Sequence, residues 1–144
     1  TNDLQTQSKG ITMESRKEIA AAKKAAGTHN CAQAVATTYA DYMNMNEEDV
    51  SNITSAFGTG MGNMEGTCGA IVGAGVVIGA MEKDRVKSRQ CMRELITKFQ
   101  QRNGATQCKL LKGVGTGTML RHCNDCVADA AEFLEAYIAG NSNK

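Results

Sequence analysis

The segment from Cys68 to Met81 constrains the fold most strongly, because it is apolar on every face. It reads Cys-Gly-Ala-Ile-Val-Gly-Ala-Gly-Val-Val-Ile-Gly-Ala-Met and contains no charged residue. A helix that is apolar all round has to be surrounded by other elements, and its repeated glycines would let neighbouring helices approach closely. We therefore predict a buried central helix at Ala70–Ala80. The β-branched residues leave a buried strand as the alternative.

Helix signals recur along the rest of the chain, whereas strand signals are weak. The chain contains no proline, and no long run alternates apolar and polar residues as a half-buried strand does. The prediction is an all-α, single-domain bundle of five or six helices around the apolar central helix. Its other helical segments are expected at Glu14–Ala26, about Cys31–Met43, Asn46 to near Phe57, Asp84–Arg102, Cys108–Leu111 and near Asn124 to Ala139.

Length, charge and composition limit the domain organisation and the partners. The 144 residues fit one domain, which we place at 13–140 between a flexible tail at 1–12 and a polar tail at 141–144. A net charge of +1, with three Tyr, three Phe and no Trp, argues against a nucleic-acid partner. The longest apolar run, Ala70–Met81, is shorter than the roughly 20 residues that span a bilayer. Residues 1–12 also lack the apolar core of a signal peptide, so we expect a cytoplasmic protein without membrane insertion.

Cysteine carries the chemistry of this chain, which has six of them. A reducing cytosol favours metal binding or catalytic thiols over structural disulfides. A cysteine at a helix start has a stabilised thiolate, because the helix dipole and the free N–H groups lower its pKa. Cys91 falls in the middle of a predicted helix, where a thiol most often packs, and we assign it no role. The cysteines predicted in loops or at helix starts are Cys31, Cys68, Cys108, Cys123 and Cys126.

Four thiolates that converge from such positions make a Cys₄ site. This is the ligand set of [2Fe–2S] and [4Fe–4S] clusters and of structural zinc. Gly62, Gly66 and Gly69 lie close to Cys68 in the chain, and they would let backbone N–H groups face the sulfurs of a bound cluster. A loop with tight helix packing is the alternative explanation of these glycines.

Cys123 and Cys126 alone have the compact spacing Cys-x-x-Cys. The pair fits two metal ligands, a dithiol redox couple, or one ligand beside a bystander. The sequence holds no Ser-His-Asp arrangement, no Walker-type loop and no His-Glu-x-x-His. We therefore predict no ordinary hydrolase or transferase site, and whether the protein is an enzyme stays open.

Taken in order, the cysteine segments resemble the family of small redox-active proteins that is named for its C…CGAxxG…C…C cysteine pattern. The likeness runs from about Glu14 to Ile138. Cys91 and Cys126 lie outside the pattern, and the segment between the last two pattern cysteines is short. The segments that carry the resemblance are Asn30-Cys31-Ala32-Gln33-Ala34-Val35, Gly66-Thr67-Cys68-Gly69-Ala70 with Gly73, Cys108 with Leu110, Leu111 and Gly113, and Cys123 with Val127, Asp129, Ala130 and Ala131.

The resemblance implies a helical protein with four functional cysteines, related to domains that are associated with iron–sulfur clusters and electron transfer. The leading hypothesis is therefore electron transfer through an iron–sulfur cluster whose ligands are Cys31, Cys68, Cys108 and Cys123. A metal-free thiol–disulfide protein, in which Cys126 also takes part, is one alternative, and a structural zinc-binding module is another. We expect a redox partner protein, and a homodimer is compatible with the sequence, although no residue pattern decides it.

Overall fold

The all-α prediction is confirmed by the structure, a computed structural model that describes residues 14–141. The tail predicted at 1–12 and residues 142–144 of the predicted C-terminal tail lie outside the described residues. Between 14 and 141 the chain forms no strand, and an isolated antiparallel bridge joins Thr67 to Gln107. Six helices in this range have seven residues or more, as predicted.

The helical segments follow one another with short connections. In chain order they are α1 (Lys17–Ala25), α2 (Cys31–Thr38), a 3₁₀ helix (Ala40–Met43), α3 (Glu47–Ile53), α4 (Gly58–Met61), α5 (Gly69–Glu82), α6 (Arg85–Asn103), α7 (Cys108–Lys112) and α8 (Cys123–Asn141).

The apolar helix α5 forms the centre of the fold and packs against α2, α6 and α8. Its side chains Ile71, Val77 and Ile78 are buried in the core, so the predicted central helix is confirmed and the strand alternative is wrong. Gly73 allows the close approach to α2, because a Cβ there would lie only 2.5 Å from the carbonyl oxygen of Ala32. No helix in the described part of the chain is long and apolar enough to cross a membrane.

Side-chain caps fix where α2 and α3 begin. Asn30 accepts a hydrogen bond from the Gln33 N–H at 2.7 Å, and the Gln33 side chain accepts one from the Asn30 N–H at 2.9 Å. This reciprocal pair is a capping box. Asn46 caps α3 by accepting from the Asp49 N–H at 2.8 Å. Asn30 and Asn46 therefore cap the starts of α2 and α3.

The helix predicted from Cys31 to Met43 is interrupted after Thr38. The hydroxyls of Thr37 and Thr38 donate to the carbonyl oxygens of Gln33 and Ala34 at 2.7 and 2.8 Å. Such bonds compete with the regular helical ladder and bend helices. The chain then continues as the 3₁₀ helix rather than as α-helix.

Candidate functional site

Five of the six cysteines line one cavity, which has a volume of about 50 Å³. They are Cys31, Cys68, Cys108, Cys123 and Cys126. Four of them are buried, whereas Cys123 is half-buried. The structure thus brings together every cysteine that the sequence singled out. The other residues that line this cysteine cavity are Lys24, Asn30, Thr59, Gly69, Leu111, Lys112 and Arg121.

The cysteines reach the cavity from the starts of four helices. Cys31, Cys108 and Cys123 are the first residues of α2, α7 and α8, and Cys68 directly precedes α5. Cys126 lies one turn into α8. A helix N-terminus presents unpaired N–H groups and a partial positive charge, both of which favour thiolate over thiol. Four of the five cavity cysteines therefore lie at helix starts, as expected, and Cys126 lies within the first turn of α8. The expected lowering of the pKa holds for Cys68 and Cys123. It is wrong for Cys31, Cys108 and Cys126, whose pKa values are raised by thiol hydrogen bonds or burial.

The glycine-rich segment before α5 links Cys68 to Cys108. The Cys108 N–H donates to the Gly66 carbonyl oxygen at 3.0 Å, and the Cys68 N–H donates to the Thr106 carbonyl oxygen at 2.7 Å. Gly60 has a φ of +55°, and a Cβ there would lie 2.6 Å from the Cys108 Cβ. A larger residue at this position would therefore push the Cys108 segment away from the cavity.

The three glycines predicted to face a cofactor take different places. Gly69 lines the cavity, and a Cβ on it would lie 3.2 Å from the Cys31 Cβ. The Gly66 carbonyl oxygen accepts a hydrogen bond from the Cys108 N–H, and Gly66 is not part of the cavity lining. Gly62 ends α4 with a φ of +90° and is also outside the lining. Of the three, Gly69 is the one in position to present backbone directly to a bound group.

Cys31 and Cys123 form the first of two thiol pairs. A hydrogen bond from the Cys31 thiol lowers the pKa of Cys123 to about 5, with the positive charges of Lys112 and Lys24 acting in the same direction. The same hydrogen bond, together with burial, raises the pKa of Cys31. At neutral pH the pair therefore holds one proton on Cys31 and a negative charge on the more exposed Cys123.

Cys68 and Cys126 form the second pair, deeper in the protein. The hydrogen bond from Cys126 lowers the pKa of Cys68, assisted by the backbone N–H groups of Ala70 and Ile71. That bond and burial raise the pKa of Cys126. Burial also raises the pKa of the fifth cavity thiol, Cys108. The cavity thus contains two thiol pairs, in each of which one pKa is lowered and the other raised, and a fifth thiol whose pKa is raised.

An arginine at the cavity wall is held by a buried carboxylate, and neither was singled out from the sequence as a charged group of the site. Arg121 binds Asp129 through two hydrogen bonds, Nε to Oδ2 at 2.9 Å and Nη2 to Oδ1 at 3.1 Å. Asn103 and Arg102 also donate to Asp129, at 3.1 and 3.0 Å. The Cys126 Sγ lies 3.9 Å from the Arg121 carbonyl oxygen. The paired hydrogen bonds between Arg121 and Asp129 therefore fix both the Arg121 guanidinium and the Arg121 carbonyl oxygen beside the thiols.

Cys91 lies away from the cysteine cavity. It belongs to α6 and lines a separate surface groove with Phe133 and Tyr137. His122 stands directly before Cys123 in the chain, and its Nδ1 accepts from the Asn124 N–H at 3.1 Å. His122 therefore caps the first turn of α8.

The donor set suits soft metals, since thiolates are the ligands that iron–sulfur clusters and zinc prefer. Among residues 14–141, however, no group of three or more Cys, His, Asp or Glu side chains is arranged to hold a single metal ion. The thiols are instead distributed as pairs around the cavity.

Comparison with protein families gives a match over most of the chain. A family model described as "Putative redox-active protein (C_GCAxxG_C_C)" matches residues 29–137, a range that contains all six cysteines. The comparisons with curated proteins and with solved structures gave no match.

Proposed function

Since the chain belongs to the C_GCAxxG_C_C family, we propose that it transfers electrons through an iron–sulfur cluster held by its cavity cysteines. The observation that carries this proposal is the convergence of five thiols, from four helix starts, on one cavity of about 50 Å³. A dithiol couple needs only two cysteines, whereas a cluster needs four. A cavity that holds one water needs roughly 10–15 Å³, so the space between the thiols is larger than a single water needs.

The ligands in this proposal are Cys31, Cys68, Cys108 and Cys123, with Cys126 as the competing fourth ligand. Such a cluster supplies the uptake and release of single electrons. The charges of Lys24, Lys112 and Arg121 at the cavity wall would offset the negative charge of four thiolates. The helix starts would add N–H donors toward the sulfurs, and such donors raise the reduction potential of a site.

The arrangement of the thiols supports a cluster better than a zinc ion. Four zinc ligands converge on one atom at about 2.0–2.3 Å, and residues 14–141 contain no group arranged in this way. The four ligands of a cluster are divided among two or four iron atoms, so that their sulfurs surround a volume instead of a point. Pairs of thiols around a cavity fit the second description.

A thiol–disulfide function is the second candidate, and the Cys31–Cys123 pair favours it. Cys123 is half-buried and its pKa is lowered to about 5, so it is a thiolate at neutral pH. Its Sγ would attack an acceptor disulfide, forming a mixed disulfide and releasing one sulfur of the acceptor as a thiolate. Cys31 would then give up its proton to the leaving sulfur and attack the Cys123 sulfur, which forms the Cys31–Cys123 bond and releases the second acceptor sulfur as a thiol.

Anaerobic purification distinguishes the two candidates. We expect brown protein with iron and acid-labile sulfide, a Cys68→Ser variant that loses both, and a Cys91→Ser control that keeps both. Colourless protein after anaerobic reconstitution, with accessible thiols that fall by two on oxidation, would establish the thiol–disulfide function instead. Stoichiometric zinc without iron or sulfide would contradict both redox proposals.

A further inference from the structure

The chain between Cys108 and Cys123 forms one edge of the cysteine cavity. We call residues 109–122 the docking segment. Both of its flanking residues are cavity cysteines, and Leu111, Lys112 and Arg121 within it line the cavity as well. A protein bound to this segment would therefore lie directly beside the thiols.

The docking segment is unusually apolar for exposed chain. Nine large apolar side chains are exposed among residues 14–141, and four of them fall within these 14 residues. Exposed apolar side chains that cluster next to polar ones mark surfaces for protein binding. The four are Leu110, Val114, Met119 and Leu120.

Backbone hydrogen bonds hold the docking segment in one shape. The Leu120 N–H donates to the Leu111 carbonyl oxygen at 2.9 Å, which brings the two ends of the loop together. Gly113 has a φ of +80°, and a Cβ there would lie 2.6 Å from the backbone of Thr118. Because the loop is already ordered, a partner loses little free energy in fixing it.

The basic side chains of the docking segment favour a partner with an acidic surface. Residues 95–124 contain no Asp or Glu, and the segment itself carries three basic side chains and no acid. Lys109 is paired with Glu65 at 3.4 Å, and Arg121 with the buried Asp129. Lys112 adds positive charge at the cavity, as does Lys24 from α1, and the Cys123 thiolate offsets part of it. An acidic surface complements such a rim and would be steered toward it.

We propose that the docking segment binds a small acidic electron-transfer protein, whose surface covers Val114 and Met119 and faces the basic cavity rim. This inference rests on the proposed electron-transfer function. It names the partner by its chemistry: negative surface charge around an apolar contact, next to a redox centre.

Direct binding tests the surface without depending on the metal. The probe is an oxidised plant-type [2Fe–2S] ferredoxin of net negative charge, titrated calorimetrically into the purified full chain. We expect binding that weakens when salt is raised from about 10 to 200 mM. A Val114→Ser/Met119→Ser variant should bind about tenfold more weakly. An Ile19→Ser control should bind as the wild type does, because Ile19 is 54% exposed, like Met119 at 56%, but lies beside Arg16 and Tyr42.

Stopped-flow reduction of the cluster-loaded protein separates docking from function. Reduced ferredoxin should reduce the double variant about tenfold more slowly than the wild type, whereas dithionite should reduce both at the same rate.

Equal ferredoxin binding by wild type and double variant, with normal dithionite reduction, would overturn the docking proposal and leave the electron-transfer function intact. Protein that holds no cluster would refute the proposed function, and the binding titration would still decide the surface. A wild-type dimer that the double substitution converts to a monomer would identify a second copy as the occupant and overturn the proposal.

Discussion

Replacing Gly73 with Ala should destabilise the protein by forcing α5 and α2 apart. The added methyl group would lie 2.5 Å from the Ala32 carbonyl oxygen and 3.0 Å from the Ala32 Cα. Both atoms are backbone, so no side chain can rotate away, and α2 has to shift by about 1 Å to restore normal contact. Over-packing of this kind costs about 3 kcal/mol. Alanine regains about 1 kcal/mol of helix propensity, which leaves a net loss of roughly 2 kcal/mol.

Gly79→Ala in the same helix is the matched control. A Cβ at Gly79 meets no atom within 4 Å, so the variant should gain up to about 1 kcal/mol. Because both variants share the propensity gain, the difference between them measures the over-packing alone, and we expect roughly 3 kcal/mol. Urea unfolding of the reduced protein, followed by circular dichroism at 222 nm, measures it. Equal stabilities of the two variants would refute the claim that Gly73 sets the distance between α5 and α2.

Three further predictions concern single side chains. Alkylation of metal-free Cys123 by iodoacetamide should be lost only as pH falls through about 5, the lowered pKa of its thiolate. Peptide mapping should show a higher midpoint in Cys31→Ala, and an unchanged midpoint would disprove the hydrogen-bond explanation. Cys91→Ser should leave the visible spectrum and the number of cavity thiols lost on oxidation unchanged; a change in either would give Cys91 a role. Asp129→Asn should lower the free energy of unfolding by about 1–3 kcal/mol in urea, because it weakens the buried fork that holds Arg121; wild-type stability would contradict this.

The helices were predictable because their signals are local. A side-chain cap such as Asn30 or Asn46 acts within three residues of the helix that it starts, and the apolar face of α5 is visible in consecutive residues. The break after Thr38 was missed, because threonine hydroxyls that bond to the preceding turn do not differ in sequence from threonines in a regular helix.

The cavity itself was only partly predictable. The position of a cysteine at a helix start can be inferred from neighbouring residues. The pairing of Cys31 with Cys123, and of Cys68 with Cys126, depends instead on how distant helices pack. The family pattern indicated four cysteines and left Cys126 undecided, yet the structure puts it at the cavity wall. The role of Arg121 was not visible either, since it depends on a buried carboxylate one helix turn beyond the site.

Because the cavity is built from four helix starts that are far apart in the chain, its cysteines are synthesised at different times. Cys31 is 92 residues ahead of Cys123, the thiol with which it shares a proton. At about 5–20 residues per second, Cys31 waits roughly 5–18 s on the ribosome before its partner exists. Until α8 is made, the earlier cavity thiols lack the helix that later helps to enclose them. Loading of the complete site, or formation of the Cys31–Cys123 bond, therefore has to follow translation of the start of α8.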